Sequence, residues 1–397
     1  MGLATGALPD FPWDTLVPYG DRARAHPDGI VDLSVGTPVD PTPALLRDAL
    51  AAAADAPGYP ATAGTPELRA AVAGWFARRR GVPDLDPAGV LPTVGSKEMV
   101  ALLPALLGLG EGDLVAHPAA AYPTYDVGAR LAGAVPVPTD DPVALLAGPT
   151  GDRVRLVWLN SPGNPDGRVL GADELRAVVR AARDAQARTG RPVVVASDEC
   201  YAELPWQEPW LSEGVPSVLD PRVAEGSIAG LLALYSLSKQ SNLAGYRAAF
   251  VAGDPVLVGG LLAARKHIGM IVPAPVQAAM VVALGEDSHV AEQRERYRRR
   301  RTVLRAALEG AGLVVDGSAA GLYLWARPAV DVATAPDAAA GPAAAGCWRV
   351  VDRLAELGVL VAPGAFYGAP RHVRVALTAT DERVDAAAAR LAGRTVA

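Results

Sequence analysis

The run Ser236-Leu237-Ser238-Lys239-Gln240-Ser241-Asn242-Leu243-Ala244-Gly245-Tyr246-Arg247 sets two hydroxyls, an amine and a guanidinium directly after the apolar stretch Leu231 to Tyr235. A lysine at a buried strand end is costly unless it is neutralised or used. One use is a Schiff base, which makes the amine part of a cofactor and keeps it poised for proton transfer. Ser236 and Ser238 before the lysine and Arg247 after it could hold a phosphate dianion. On this segment alone, a lysine at an exposed loop start stays open. The amine inventory is short: of 37 basic residues, only Lys97, Lys239 and Lys266 are lysines.

Other chemistries find no support. Gly108-Leu109-Gly110-Glu111-Gly112 imitates a dinucleotide fingerprint, but an apolar helical stretch precedes the glycines and a strand comes after, the reverse of what that motif needs. It is expected to be a helix-to-strand turn. His26, His117, His267, His289 and His372 are scattered, with no pair at metal-ligand spacing, so no metal is expected. Cys200 and Cys347 cannot form a disulfide framework or a thiolate cluster. No G-x-S-x-G elbow and no P-loop occurs.

The elements that must position the lysine emerge from periodicity. Thr65-Pro66-Glu67 is an N-cap, a proline at N1 and an acid in the first turn. Leu68, Ala71, Val72, Trp75 and Phe76 then form a helical stripe, with Arg78, Arg79 and Arg80 at the negative end and Gly81 closing it. Short apolar runs at 113–116, 135–137, 155–159, 193–196, 231–235 and 248–251 read as strands alternating with helices. Continuous apolar strands imply a mostly parallel sheet covered on both faces, with ligands beyond its carboxyl ends. After Gln277 the pattern changes. Residues 292–305 read as a long solvated helix. Then come Gly321 to Trp325, an Ala/Pro/Gly surface loop at 328–346, a helix near 348–357 and strands at 359–361 and 373–377, as a smaller α+β domain.

Composition bounds the class. The chain has 397 residues, half of them hydrophobic, enough for more than one core. The net charge of −6 argues against a nucleic-acid surface. Residues 268–285 are free of charge and apolar, but Pro273, Pro275 and Gln277 make them a buried loop and helix start rather than a membrane span. The N-terminus has no signal-peptide pattern. A soluble, cytoplasmic protein is expected.

At the lysine segment the chain resembles a known family. Ser236, Ser238, Lys239, Asn242, Gly245 and Arg247 match the pyridoxal-phosphate attachment signature of the class I/II aminotransferases of fold type I. Further stations occur in family order. Gly95-Ser96-Lys97 resembles the loop-to-helix turn that binds the phosphate, in keeping with the anion preference of helix N-termini. Lys97 is left between solvent, phosphate and a substrate carboxylate. Tyr122 falls where the family stacks an aromatic ring on the pyridine, with Tyr125 as the competing choice. Asn164-Pro165-Asp166-Gly167 resembles the turn whose Asn bonds the cofactor phenolic oxygen. Asp198-Glu199-Cys200-Tyr201 resembles the Asp-x-x-Tyr element, in which the Asp serves the pyridine nitrogen and the Tyr the phenolic oxygen. Arg374 matches the arginine that holds the substrate α-carboxylate, and Gly36 opens the match near the substrate. Tyr59 matches a tyrosine that reaches the phosphate of a neighbouring subunit, which implies a homodimer with shared sites.

The resemblance implies an α/β fold-type I pyridoxal-phosphate transferase. Residues 39–277 would form the large cofactor-binding domain, a mostly parallel mixed sheet sandwiched by helices. Residues 1–38 and 278–397 would form an N-terminal arm and a small α+β domain. Lys239 would carry the cofactor and act as the base, since Lys97 belongs to the phosphate turn and Lys266 has no Ser-x-Ser before it. Amino acids and keto acids, with glutamate and 2-oxoglutarate as one pair, would be the substrates. The segments Leu8-Pro9-Asp10-Phe11-Pro12-Trp13-Asp14, Val94-Gly95-Ser96-Lys97-Glu98 and Ala121-Tyr122-Pro123-Thr124-Tyr125 resemble N-succinyldiaminopimelate aminotransferases of the diaminopimelate and lysine pathway. A general aspartate, alanine or aromatic aminotransferase, or a carbon–sulfur β-lyase, would share every station. A cofactor-sensing DNA-binding regulator is not expected, because the match begins by Gly36.

Overall fold

Seven strands build the central sheet: β2 (Val90–Val94), β3 (Leu114–His117), β4 (Val135–Pro138), β5 (Val154–Asn160), β6 (Val194–Asp198), β7 (Leu231–Ser236) and β8 (Ala248–Gly253). Their order is β2-β8-β7-β6-β5-β3-β4. From β7 to β4 every neighbour is parallel, and β8 runs antiparallel to both β7 and β2. The structure, a computed structural model, describes residues 8, 9, 11–329 and 346–396. Most of the Ala/Pro/Gly stretch and Asp10 of the opening segment lie outside the described residues.

The apolar runs are continuous because the sheet is covered twice. On one face Val157 and Leu159 share a core with Trp75, Phe76, Leu175 and Val179. On the other, Trp158, Leu156 and Val115 share a core with Met99, Leu103, Tyr125 and Ala129. Strand β2 is not legible in the sequence because Pro92 interrupts it. It sits at the sheet edge, where a missing N–H is tolerated, and pairs only with β8.

The helix Pro66–Arg79 forms as its cap predicts: Thr65 Oγ1 accepts from Leu68 N at 3.1 Å. Its terminal arginines do more than meet the helix end. Arg80 turns inward, buried, and donates to Glu199 Oε2 at 2.8 Å, while Arg79 pairs with Glu203. Glu199 also accepts from Ser217 Oγ and Val218 N, so the segment after β6 is pinned from behind. The glycine run 108–112 lies between the helix Ser96–Leu106 and β3, as a helix-to-strand turn should.

A second, four-stranded antiparallel sheet is built from β9 (Leu313–Asp316), β10 (Tyr323–Pro328), β12 (Ala362–Pro363) and β13 (Val373–Ala376), in the order β12-β13-β10-β9. Two short strands, β1 (Val31–Asp32) and β11 (Val359–Leu360), form a parallel pair of their own. The chain after β1 is tied to the second sheet, with Ala376 N donating to Leu33 O at 2.9 Å. That tie carries Ser34 to Gly36 toward the carboxyl edge of the large sheet. The charged helix spans Ser288–Gly310 and is not wholly solvated. His289, Gln293, Tyr297, Arg300, Leu304 and Leu308 form a buried stripe. Its charge hides the stripe, because Arg300 is itself buried, paired with Asp40 and Asp381.

Candidate active site

The parallel strands end in register. Asn160 closes β5 beside Asp198, which closes β6, and Ser236 closes the neighbouring β7. Strand β2 delivers Gly95 to the same edge, where Gly95 N donates to Arg247 O at 2.8 Å. The second sheet approaches this edge with Tyr323 on β10 and Arg374 on β13.

At the centre stands Lys239. It is half-buried, and its Nζ donates to the carbonyl of Gly36. Burial lowers the amine below the ordinary lysine value, which favours the free base. The hydroxyls of Ser236 and Ser238 lie 2.7 Å apart, both buried, just before it.

Asp198 is 8% exposed. Its carboxylate accepts from Tyr125 Oη at 3.0 Å and Cys200 N at 3.3 Å. Among the described residues no cation pairs with it, and burial raises it above the usual carboxylate range. Such a group is suited to a bound cation. Tyr125 is fully buried and committed to Asp198, its ring 5.2 Å from that of Trp158. Tyr122 is the more exposed of the two tyrosines, edge-on to Tyr125, with Lys97 Nζ 5.8 Å from its ring centre. Lys97 itself is exposed.

Gly95 is held at φ +78°, and a Cβ there would collide with the Arg247 guanidinium. No side chain caps the helix Ser96–Leu106 that begins at this point, so its first amides are open to an anion. Cys200 Sγ touches Ser96 Oγ at 3.4 Å, a contact no motif signals. The uncapped amides, Ser96, Ser238 and Arg247 make a donor set fit for a phosphate.

Arg374 is 3% exposed and meets no carboxylate among the described residues. Its Nη1 donates to Asn164 Oδ1 at 2.9 Å and its Nη2 to Ser34 O at 2.8 Å. The guanidinium lies 4.0 Å from the Tyr323 ring centre and 4.7 Å from that of Tyr367. Its Nε and the Tyr367 hydroxyl are buried with no partner among the described residues. Two unsatisfied donors beside a buried cation describe a seat for a carboxylate, since each unmade bond costs about 1–3 kcal/mol. Asn164 is fixed through its own N–H, which donates to Asn160 Oδ1 at 2.7 Å. Tyr201 is buried, its hydroxyl 3.3 Å from that of Tyr323, and burial raises its phenol well above the ordinary value.

The fold therefore gathers Gly36, Asn164, Asp198, Tyr201, Lys239 and Arg374 at one edge, with Gly95, Ser96, Ser236, Ser238 and Arg247 close by. Tyr59 does not join them: it is fully exposed. Sequence reasoning misses Tyr323 and Tyr367. Neither lies in a motif, and only the pairing of β10 with β13 and the turn before β13 bring them to Arg374. The residues present fit a phosphorylated pyridine aldehyde: an amine, a phosphate seat and a buried carboxylate for a ring nitrogen. No group of His, Cys, Asp and Glu among the described residues could hold a metal ion. No helix of the described chain is long and apolar enough to cross a membrane.

Comparison with known proteins gives the family. The profile of the family described as "Aminotransferase class I and II" matches residues 28–391. A Streptomyces rimosus protein named "4-dedimethylamino-4-oxo-anhydrotetracycline transaminase OxyQ" is 56% identical over 386 residues, 97% of this chain and 99% of its own length. "Probable aminotransferase Rv1178" of Mycobacterium tuberculosis is 56% identical over 395 residues, 98% of this chain and 87% of its own. Among solved structures, a probable N-succinyldiaminopimelate aminotransferase of Thermus thermophilus superposes with a TM-score of 0.79 at 28% identity, covering 96% of this chain and 99% of that one.

Proposed function

The chain belongs to the class I and II aminotransferases, a pyridoxal-phosphate-dependent family, and from that premise we propose the roles of its residues and its substrate. When bound, pyridoxal phosphate supplies an electron-withdrawing ring that accepts the electron pair left at a substrate Cα. Lys239 holds the cofactor through its amine and then moves the proton to and from Cα, a task suited to an amine lowered by burial. Asp198 holds the proton on the ring nitrogen, and Tyr125 fixes the carboxylate that does so. Asn164 and Tyr201 donate to the ring oxygen. Tyr122 covers the ring face. Gly95, Ser96, Ser236, Ser238 and Arg247 seat the phosphate, with Lys97 at its rim. Arg374 grips the α-carboxylate and so orients the Cα–H bond.

The observation that carries the assignment is the buried Arg374, which meets no carboxylate among the described residues, beside a lysine whose amine meets, among them, a single carbonyl. Tyr59, fully exposed on the single chain, is available to serve the phosphate of a second copy in a homodimer. A cytoplasmic setting suits two free, buried cysteines.

For the substrate pair we favour N-succinyl-L,L-2,6-diaminopimelate with 2-oxoglutarate. The opening segment, the phosphate turn and the Tyr122 segment support this, as does the likeness to the Thermus protein. A second candidate is a 4-oxo-anhydrotetracycline, favoured by the 56% identity to the Streptomyces rimosus transaminase. Glutamate-dependent amination across a panel of acceptors separates them. The panel holds the succinylated keto acid, small keto acids and the 4-oxo-anhydrotetracycline. Preference for the succinylated acid supports the first choice, and preference for another acceptor overturns it.

A further inference from the structure

Tyr323 belongs to the second sheet, yet it touches three groups of the site. Its hydroxyl lies 3.3 Å from Tyr201 Oη. It also rests on the Gly36 backbone, where a Cβ would collide with it, and the Gly36 carbonyl accepts from Lys239 Nζ. Its ring centre lies 4.0 Å from the Arg374 guanidinium carbon. The side chain is buried, so none of these contacts competes with bulk water.

A proton count orients the hydroxyl pair. Each phenol has one proton to donate. If Tyr201 spends its own on the cofactor ring oxygen, the proton shared by the two phenols comes from Tyr323. A donor on the Tyr201 oxygen also polarises the Tyr201 O–H and makes it the stronger donor. We propose that Tyr323 is a positioning residue for amine transfer: its hydroxyl donates to Tyr201 and aims the Tyr201 proton at the cofactor ring oxygen, while its ring supports the face of Arg374. One side chain of the second sheet thus serves both the cofactor and the carboxylate grip. The proposal rests on the aminotransferase assignment of the same site.

Tyr323 itself faces Tyr201, Lys239, Arg374, Tyr297 and Tyr367. Tyr201 faces Tyr323, Cys200, Asp198 and Arg374. Lys239 faces Tyr323, Cys200, Arg374 and Arg247. Replacing the Tyr323 hydroxyl by hydrogen leaves every one of these other groups in place. Its effect on the lysine-bound cofactor can then run through the Tyr201 hydrogen bond or directly to Lys239, and the Tyr201→Phe background separates the two routes.

The test is a pH titration of the visible absorption band of the holoenzyme, with kcat and KM for the amino donor measured alongside. In Tyr323→Phe the weakened Tyr201 donor stabilises the ring oxyanion less, so the band pKa rises by about half a unit to one unit. KM stays within about twofold, because a ring still covers Arg374. Tyr323→Leu removes ring and hydroxyl together and raises KM about tenfold as well. In a Tyr201→Phe background, Tyr323→Phe shifts the band no further. A merely structural contact would change the melting temperature and leave the band where it is. If Tyr323→Phe does not fold, Tyr323→Met takes its place, and an upward shift is again expected. A folded variant with the wild-type band pKa, or an equal shift in the Tyr201→Phe background, overturns the role of Tyr323. A wild-type protein that forms no lysine-linked band overturns the aminotransferase assignment instead.

Discussion

Substituting Arg374→Lys keeps the charge and removes the planar fork. In the structure the guanidinium spends Nη1 on Asn164 and Nη2 on Ser34 O, and lies against the rings of Tyr323 and Tyr367. A lysine has a single ammonium on a flexible stem. It cannot satisfy Asn164 and Ser34 and still meet a carboxylate with two parallel bonds. The loss is one charge-assisted hydrogen bond, about 1.5–3 kcal/mol, with about 0.5–1 kcal/mol of cation–π contact. The sum of about 2–4 kcal/mol lowers kcat/KM by roughly 30-fold to 1,000-fold. The assay compares glutamate with a primary amine that lacks an α-carboxylate. The fall is expected for glutamate, while the simple amine changes within about threefold. An equal fall for both donors would refute the seating of the carboxylate on Arg374, and so would no fall for glutamate.

The remaining predictions concern the cofactor side. Asp198 sits above its ordinary carboxylate range because of burial, so its ionisation costs stability once pH passes the unfolded value near 3.9. Asp198→Asn therefore leaves the melting temperature of the cofactor-free protein at pH 7 unchanged or raises it by about 1–3 °C. It also lowers turnover at least about 100-fold, and a large drop in melting temperature would contradict this. Gly95→Ala, with φ +78° and a Cβ driven into the Arg247 guanidinium, should weaken cofactor affinity at least about tenfold in a spectrophotometric titration. Because burial lowers the Lys239 amine, the rate of covalent cofactor capture should rise with pH and level off below about pH 10.4, the ordinary lysine value. A rate still climbing beyond that pH would show an ordinary, solvated amine.

The strands and the lysine loop are legible in the sequence because their signals are local. An apolar run ending in Ser236-Leu237-Ser238-Lys239 marks both the strand and the loop that leaves it. The choice between Tyr122 and Tyr125 is not local: the two lie three residues apart, and the burial of Tyr125 against Asp198 and Trp158 separates them. Arg80 and Arg300 are hidden for a related reason. Charge usually marks a solvated face, but each is buried against a carboxylate supplied from far along the chain, Glu199 for one and Asp40 for the other. Tyr323 and Tyr367 are beyond reach because strand pairing brings the first to Arg374 and the turn before β13 folds the second back onto it. Tyr323 gives one faint sign, its position in Gly321-Leu322-Tyr323-Leu324-Trp325, an apolar run that enters the second sheet.

The roles assigned to the site all turn on Lys239, of three lysines, carrying the cofactor. Borohydride reduction of the pyridoxal-phosphate-loaded protein, followed by proteolysis and mass mapping, tests it directly. The reduced cofactor mass is expected on the peptide containing Lys239, and is expected to vanish in Lys239→Ala. The adduct on Lys97 or Lys266, or its retention in the folded Lys239→Ala protein, would contradict it.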